Sequence, residues 1–304
     1  MKITVFGGSG FLGSHVCDKL SDAGHQVTNF DIRHSSWLRS DQQEIVGDLL
    51  DIDAVRGAVE NTDVVFNFAG IADIDEAKDR PIDTVRYNVL GNTMLLEACK
   101  TKKIKRFVFA SSVYVYSQSG AFYRASKQAC ETYIETYHEL YNMEFTILRY
   151  GTLYGPRSDE KNAILRYIRQ ALSEGIIEYS GDVNAKREYI HVEDAAKASV
   201  EILKPDYANQ HIVLTGNQSF KVKELFGMIQ EILHKPVEIR HQSKDKTAHY
   251  VLTPYNFSPR MGRKFIPPLQ IDLGQGLLKI VEEVYQQSHP ELNDMNGFLV
   301  ERET

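Results

Sequence analysis

The chain has 304 residues, of which 42% are hydrophobic and 25% are charged, a composition typical of globular proteins. The net charge of −6 argues against a general nucleic-acid binder, and no apolar run reaches the roughly 18 residues that a membrane span requires. The three cysteines have spacings that predict neither a disulfide framework nor a zinc or other metal site, and the short N-terminal segment before the first glycines does not resemble a signal peptide. We therefore expect a cytoplasmic protein.

Strands and helices alternate along the first half of the chain. The pattern predicts strands at residues 2–6, 25–31, 63–70, 106–112 and 145–151, and helices at residues 11–23, 51–60, 83–102 and 126–141. Several of these strands are apolar on both faces, which is typical of a parallel sheet covered by helices on both sides. The predicted fold class is α/β, a Rossmann-type doubly wound parallel sheet followed by a smaller mixed α/β substrate domain.

The regular alternation of predicted strands and helices ends after residue 156. Residues 158–186 read as helical and then irregular, residues 187–203 as a strand, a capped turn and a helix, and residues 211–216 as a short strand. We interpret Asp194 as the helix cap and His191 as a structural residue at the strand end. These patterns predict a sheet domain over residues 1–156 and a mainly substrate-binding domain over residues 157–304, with re-entry into the first domain at about 187–215.

The segment GGSGFLG follows the first strand and opens the first helix, with glycines at Gly7, Gly10 and Gly13. Such glycines allow a tight turn and a close approach to a pyrophosphate, which the helix N-terminus then binds through its free N–H groups. Asp31 ends the second strand, where a carboxylate accepts hydrogen bonds from the adenosine ribose and repels a 2′-phosphate. The pattern favours NAD, although Arg33 and His34 lie close enough to accommodate the phosphate of NADP.

A possible catalytic group occurs in the segment SSVYVYSQSGAFYRASK. A single Tyr-x-x-x-Lys pair is expected by chance in a chain of this composition, so the position of Tyr123 and Lys127 has to carry the argument. Residues four apart lie on one helix face, and the lysine would lower the pKa of the phenol by stabilising the phenolate. Ser112, at the carboxyl end of the preceding strand, can hydrogen-bond the same substrate hydroxyl. This trio suits proton removal from an alcohol while a hydride leaves its carbon.

Taken together, these motifs resemble the extended short-chain dehydrogenase/reductases of the NAD-dependent epimerase/dehydratase type. The resemblance covers nearly the whole chain and rests on the segments GGSGFLG (7–13), GDLLD (47–51), NFAG (67–70), YNVLGNTMLLEACK (87–100), SSVYVYS with YRASK (111–127), LRYGTLYGP (148–156), REYIHVEDAA (187–196) and SPRMGRKFIPP (258–268).

The resemblance implies roles for residues beyond the glycine loop. The catalytic residues are Ser112, Tyr123 and Lys127, of which the last two also contact NAD. The further cofactor-binding residues that it implies are Phe11, Leu12, Asp48, Leu49, Phe68, Ala69, Gly70, Asn88, Tyr150 and Leu153. The substrate is a nucleotide-activated sugar, bound by Ser112, Tyr114, Thr152, Arg187 and Arg260. A guanidinium such as that of Arg187 also suits a diphosphate on physical grounds, because its planar fork matches the phosphate oxygens.

The chain departs from the sequence pattern of this family at three places. Val113 and Tyr114 stand where related dehydratases carry an Asp-Glu pair, and nucleotide-sugar decarboxylases keep a Glu at the second position. Ser112 and Tyr123 are separated by a short loop, which indicates a more open pocket or an unusual glycosyl group. Thr152 replaces an asparagine that helps to hold the substrate, so the identity of the sugar stays open.

These departures favour reactions that need only hydride and proton transfer. The main hypothesis is a nucleotide-sugar 4-epimerase that acts through a transient 4-keto sugar. The alternatives are a nucleotide-sugar 4-dehydrogenase or 4-keto-sugar reductase with the same residues, and, more remotely, a dinucleotide-binding sensor without turnover. The long helices predicted at residues 83–102 and 125–141 resemble those of a four-helix dimer interface, so we expect a homodimer.

Overall fold

The computed structural model describes residues 1–234, 236–241 and 250–254. Its centre is a seven-stranded parallel sheet in the order β3-β2-β1-β4-β5-β6-β10. The strands of this sheet are β1 (Lys2–Phe6), β2 (Gln26–Asp31), β3 (Gln42–Val46), β4 (Val64–Asn67), β5 (Arg106–Ser112), β6 (Glu144–Tyr150) and β10 (Gln210–Leu214). The order reverses between β1 and β4, so the carboxyl ends of these two strands form the crevice where doubly wound sheets bind their ligands.

Helices cover both faces of the sheet. They are α1 (Phe11–Asp22), α2 (Ile52–Ala58), α3 (Ile74–Asp79), α4 (Pro81–Thr84), α5 (Gly91–Lys102), α6 (Ala121–Tyr141), α7 (Ala163–Ser173), α8 (Val192–Glu201) and α9 (Val222–Leu233). A π-helical segment over Val85–Leu90 joins α4 to α5, and a 3₁₀ turn over Val113–Tyr116 follows β5. One buried core lies on the side of α2, α5 and α6, and a second lies on the side of α1 and α8.

Two smaller sheets lie outside the central one. The first contains β7 (Thr152–Tyr154), β9 (Lys186–His191) and β11 (Ser219–Lys221), and the second pairs β8 (Ile176–Tyr179) with β12 (Glu238–His241). A third core joins α7 and α9 to β8 through rings such as those of Tyr167, Tyr179 and Phe226. In the part of the chain that the structure describes, no helix has the length and apolar character to cross a membrane.

The predicted Rossmann-type fold class is confirmed, and several local predictions need correction. β3, β8, β11 and β12 were not predicted, because short edge strands carry little of the apolar pattern that marks a buried strand. α6 begins at Ala121 and not at residue 126, which places Tyr123 within its first turn. The cap of α8 is His191, whose Nδ1 accepts the Glu193 N–H at 3.4 Å, whereas Asp194 lies inside the first helical turn. The division of the chain near residue 156 stays a prediction.

Candidate active site

The glycine loop lies at the carboxyl end of β1 and leads directly into α1. Gly7 has a φ of +80°, and a Cβ there would lie 2.7 Å from the backbone nitrogen of Ala69. A Cβ on Gly13 would lie 2.1 Å from the Gly7 carbonyl oxygen, so the turn tolerates no side chain at either position. Gly10 precedes α1 without a side-chain cap. The N–H groups of the first turn are therefore available to an anion, which is the arrangement that a dinucleotide pyrophosphate needs.

Asp31 closes this loop from the neighbouring strand. Its carboxylate accepts the Ser9 N–H at 3.0 Å and the Arg33 N–H at 3.3 Å, which fixes the acid beside the glycine loop. The His34 ring, which the sequence left as a possible phosphate ligand, contacts the Glu44 carboxylate at 2.7 Å. This geometry fits a ribose diol at Asp31.

The other predicted cofactor segments lie around the same crevice. Asp48 folds its own loop by accepting the Leu50 N–H at 2.9 Å, and the buried Leu49 packs against Gly91. Asn88, within the π-helical segment, exchanges hydrogen bonds with the backbone of Ile71 at 2.7 and 3.0 Å. The same side chain lies 2.9 Å from the Ser126 hydroxyl on α6. Asn88 thus ties the loop after β4 to the helix that carries Tyr123 and Lys127.

The predicted catalytic trio meets where β5 ends and α6 begins, a junction that we call the β5–α6 contact (Ala110, Ser112, Tyr123 and Lys127). The Ser112 hydroxyl lies near the Tyr123 phenol, whose pKa it lowers, and it accepts the Tyr114 N–H at 3.3 Å. The buried Lys127 ammonium donates to the Ala110 carbonyl at 2.7 Å and lies 5.7 Å from the centre of the Tyr123 ring. The three side chains therefore face one place at the carboxyl end of the sheet, as the sequence predicted.

A buried ion pair supports this junction from behind. Glu131, one helical turn beyond Lys127, accepts the Ser111 hydroxyl at 2.5 Å and two N–H groups of Arg149 at 2.6 and 3.0 Å. The Arg149 guanidinium also bonds the Tyr116 hydroxyl and lies 4.7 Å from the centre of that ring. One carboxylate on α6 thus joins the ends of β5 and β6 to the 3₁₀ turn.

The electrostatics of Tyr123 differ from our expectation. Burial of its hydroxyl raises the pKa of Tyr123 to about 12, and the hydrogen bond with Ser112 offsets only part of that effect. Lys127, whose ammonium donates to the Ala110 carbonyl, does not hold the pKa of this phenol below 10. Burial lowers the pKa of Lys127, while the nearby Glu131 carboxylate raises it. The protein alone therefore keeps Tyr123 protonated at neutral pH.

Two aromatic rings and a cation flank Tyr123, and we call them the aromatic wall (Tyr114, Tyr250 and the guanidinium of Arg187). The Tyr114 ring meets the Tyr123 ring edge to face at 6.2 Å and the Tyr250 ring at 4.6 Å. The Arg187 guanidinium, on β9, lies 4.4 Å from the centre of the Tyr250 ring. A cation is thus held by a ring that adjoins the predicted catalytic residues.

Four more predicted residues can be placed. Tyr150 is buried and its hydroxyl lies 2.6 Å from Ser199 on α8, so that hydroxyl is engaged in the core. The Phe68 ring lies 6.5 Å from the Tyr150 ring, and Leu153 packs against the same core. Thr152 pairs in register with Tyr189 between β7 and β9. Arg260 lies outside the described residues.

Sequence reasoning missed Tyr250 and the pair of Glu131 with Arg149. The pair had a usable signal, since Glu131 continues the four-residue spacing of Tyr123 and Lys127 along one helix face. Tyr250 had none, because it stands in no motif and reaches Arg187 only through the tertiary fold.

A dinucleotide loop beside a tyrosine, a lysine and a serine at the carboxyl edge of a parallel sheet defines an enzyme of the nicotinamide-dependent hydride-transfer class. Residues 3–215 match the NAD dependent epimerase/dehydratase family, and the chain belongs to this family. NAD is accordingly the cofactor, and the residues described above fit it.

Named relatives and solved structures of similar proteins support this membership. A UDP-N-acetyl-alpha-D-glucosaminuronate decarboxylase of Bacillus cytotoxicus is 27% identical over 86% of this chain and 88% of its own. A UDP-glucose 4-epimerase of Mycolicibacterium smegmatis is 27% identical over 78% of this chain and 84% of its own. The crystal structure of a UDP-glucuronic acid 4-epimerase from Bacillus cereus in complex with NAD is 27% identical, with a TM-score of 0.73 over 80% of this chain and 87% of that one.

Proposed function

We propose that the chain is a nucleotide-sugar 4-epimerase that acts on a UDP-sugar through a 4-keto intermediate. The observation that carries the proposal is the β5–α6 contact, where Ser112, Tyr123 and Lys127 converge on one place. The segment that follows Ser112 contributes Val113, which is 1% exposed, and Tyr114. Neither side chain is a carboxylate able to protonate a leaving hydroxyl, so the site supports proton and hydride movement without elimination.

Each residue of the trio has a separate task in this proposal. Tyr123 removes the proton of the C4 hydroxyl and returns it after the sugar has turned over. Ser112, whose hydroxyl lies near the Tyr123 phenol, orients that substrate hydroxyl by hydrogen-bonding it. Lys127 has three N–H donors, one of which bonds Ala110, and it offers the others to the ribose next to the nicotinamide. Bound NAD supplies the hydride acceptor and donor, and its oxidised ring adds a positive charge that favours the Tyr123 phenolate.

The substrate diphosphate is assigned to Arg187 on the opposite side of the pocket. The contact of its guanidinium with the Tyr250 ring and the bond from Nη1 to the Lys186 carbonyl at 3.0 Å hold its plane, and the N–H groups not used in that bond are offered to phosphate oxygens. Several relatives are named for their action on UDP-sugars, which supports the same class of substrate here. Arg260 stays a second proposed diphosphate ligand on the strength of sequence alone.

A screen of UDP-sugars tests the proposal. UDP-glucose, UDP-glucuronic acid and UDP-N-acetylglucosamine are incubated with the protein, and the sugars are separated by chromatography and identified by NMR. We expect one of them to yield its C4 epimer without net change in free NAD, and a Tyr123→Phe variant to yield none. Accumulation of free NADH together with a keto sugar would instead establish the dehydrogenase. Turnover that Tyr123→Phe leaves unchanged would refute the proposed site.

We further propose that the protein is a homodimer. Apolar side chains on the π-helical segment and on α6 are exposed, among them Val85 at 55%, Leu90 at 49%, Phe122 at 47% and Leu140 at 67%. Helices that leave such side chains to solvent are typical of an interface. Light scattering at micromolar concentration tests this proposal, with twice the chain mass expected and the mass of one chain as the contrary result.

A further inference from the structure

A pocket of about 230 Å³ lies beside the glycine loop, outside the catalytic trio. Ser9 and Phe11 line it from the glycine loop, Arg33 and Trp37 from the segment after β2, and Arg157 from the loop after β7. The pocket thus joins the start of α1 to a loop far away in the sequence. The sequence had pointed to Phe11, Arg33 and His34 at this pocket, but not to Arg157 or Trp37.

Arg157 is held firmly at the edge of the pocket. Its Nη2 lies 2.7 Å from the Asp18 carboxylate on α1, and its guanidinium lies 4.8 Å from the centre of the Trp37 ring. The preceding carbonyl, that of Pro156, lies 3.0 Å from Nε2 of His15, also on α1. Three contacts therefore anchor this loop to the first helix and to the segment after β2.

The remaining nitrogen of the same guanidinium is unusual. Nη1 of Arg157 is buried, and the described residues provide no hydrogen-bond acceptor for it. Burying a charged N–H donor without an acceptor costs free energy of folding. We therefore infer that the acceptor for Nη1 of Arg157 is a bound ligand. Asp159 is the acidic residue that lines the pocket, and one of its carboxylate oxygens accepts the backbone N–H of Lys161 at 3.1 Å.

The position of the pocket identifies the anion. Asp31, fixed by the Ser9 N–H at 3.0 Å, is placed to accept hydrogen bonds from the adenosine ribose of bound NAD, and the uncapped first turn of α1 at Gly10 and Phe11 would receive the pyrophosphate. We propose that Arg157 is a further cofactor-binding residue, which donates an N–H to the pyrophosphate of the bound dinucleotide. Trp37 and Asp18 hold the guanidinium in place. This role does not depend on which reaction the enzyme performs.

Calorimetry of ligand fragments tests the proposal. Protein freed of dinucleotide with charcoal is titrated with adenosine and with ADP-ribose, and the same titrations are made with Arg157→Gln. We expect the variant to bind ADP-ribose about tenfold more weakly or worse, since a charge-assisted hydrogen bond is lost. Adenosine, which has no phosphate, should bind to both proteins within twofold. Equal weakening of both ligands, or weakening of neither, would overturn the proposal.

Arg39→Gln is the matched control. Arg39 also ties the segment after β2 to α1, through an ion pair of 2.6 Å with Asp22, but it does not line the pocket. We expect this variant to bind both ligands as the natural protein does. If Arg39→Gln lost as much affinity for ADP-ribose as Arg157→Gln, the affinity would depend on the attachment of the segment after β2 to α1. The charge of Arg157 in the pocket would then have no role of its own in binding.

Titration with 2′-phospho-ADP-ribose tests a different phosphate contact. If Arg157 contacted a 2′-phosphate, Arg157→Gln would weaken the binding of 2′-phospho-ADP-ribose alone and leave that of ADP-ribose unchanged, which contradicts the proposal.

A second variant, Trp37→Leu, serves if Arg157→Gln fails to fold. It removes the ring under the guanidinium and keeps the charge of Arg157. We expect Trp37→Leu to weaken ADP-ribose by a few-fold with adenosine unchanged, and unchanged binding of ADP-ribose would count against the pocket.

Discussion

The two sides of the proposed substrate pocket are built in different ways. In the β5–α6 contact, Lys127 bonds a main-chain carbonyl and Glu131 pairs with Arg149, and all three side chains are buried or nearly so. In the aromatic wall, the rings contact one another and one cation, and the Arg187 guanidinium, which also donates to the Lys186 carbonyl at 3.0 Å, is only partly buried. Buried ion pairs and hydrogen bonds leave a side chain little freedom, whereas ring contacts and a partly exposed hydrogen bond tolerate small rotations. The comparison suggests a rigid catalytic side and an adaptable side for binding the sugar nucleotide.

The strongest expected effect concerns the rigid side. Tyr123→Phe removes the hydroxyl that we assign as the acid and base, and keeps the ring that packs against Tyr114. Turnover should fall about a thousandfold, which lies within the range of general acid–base catalysis. Affinity for NAD, measured by calorimetry, should change by less than threefold. A variant that retains a tenth of the activity would remove Tyr123 from its proposed role.

A second substitution tests whether the ion pair makes this side rigid. Glu131→Gln leaves the positive charge of Arg149 without its buried partner, so the free energy of unfolding should fall by about 2 kcal/mol. Urea denaturation measures this change. The same variant should lose activity mainly in kcat. The carboxylate that holds Ser111 on β5 and Arg149 on β6 against α6 is lost, so the proposed catalytic side chains are less well positioned.

Glu139→Gln is the control for that experiment. Glu139 lies two turns further along α6 and is exposed, so its substitution should change neither the stability nor kcat. Equal effects of the two substitutions would mean that any loss of charge on α6 is harmful, and that the contact of Glu131 with Arg149 and Ser111 has no special role.

A substitution in the aromatic wall should change KM more than kcat. Arg187→Gln removes the cation that we assign to the substrate diphosphate and keeps a side chain able to lie against Tyr250. We expect KM to rise about tenfold, the value of one charge-assisted hydrogen bond, with kcat within threefold. A fall in kcat with unchanged KM would mean that Arg187 acts in the chemical step. The proposed division between a catalytic side and a binding side would then be wrong.

The smallest expected effect is the pH dependence of stability that Tyr123 contributes. Because the pKa of Tyr123 is raised to about 12 in the folded protein, folding favours the protonated phenol. This contribution is fully present below pH 10, the ordinary value of a phenol, and is lost as the pH rises towards 12. The unfolding free energies of the natural protein and Tyr123→Phe should therefore differ by a constant amount below pH 10, and that difference should change by about 1 kcal/mol by pH 11. A constant difference throughout would mean that the hydroxyl is solvated.

The sequence was a better guide to the rigid side than to the adaptable one. Gly7, Gly13 and Asp31 could be placed because the turn and the strand end leave few other residue types possible. Ser112, Tyr123 and Lys127 could be brought together because helix spacing and the common edge of parallel strands put them there. The raised pKa of Tyr123 could not be predicted, since it depends on burial that spacing alone does not reveal.

Tyr114 and Arg187 were predicted as substrate-binding residues, but the contacts that Tyr250 and Arg157 make escaped prediction for a related reason. Tyr250 meets Tyr114, and Arg157 meets Trp37, across long stretches of chain without any periodic pattern that joins them. Side-chain contacts between loops depend on the assembled fold, and single positions in loops carry no spacing from which to infer them. β3, β8, β11 and β12 were missed for the simpler reason that they are short edge strands.

The most direct test of the central proposal follows the hydrogen at C4. The UDP-sugar that the screen identifies is prepared with deuterium at C4 and converted by the purified protein in ordinary water. We predict that NMR finds the C4 epimer with its deuterium retained at C4 and that mass spectrometry finds none in free cofactor. Deuterium lost to released NADH, or replaced by hydrogen from the solvent, would contradict a 4-epimerase that keeps its cofactor bound through the reaction.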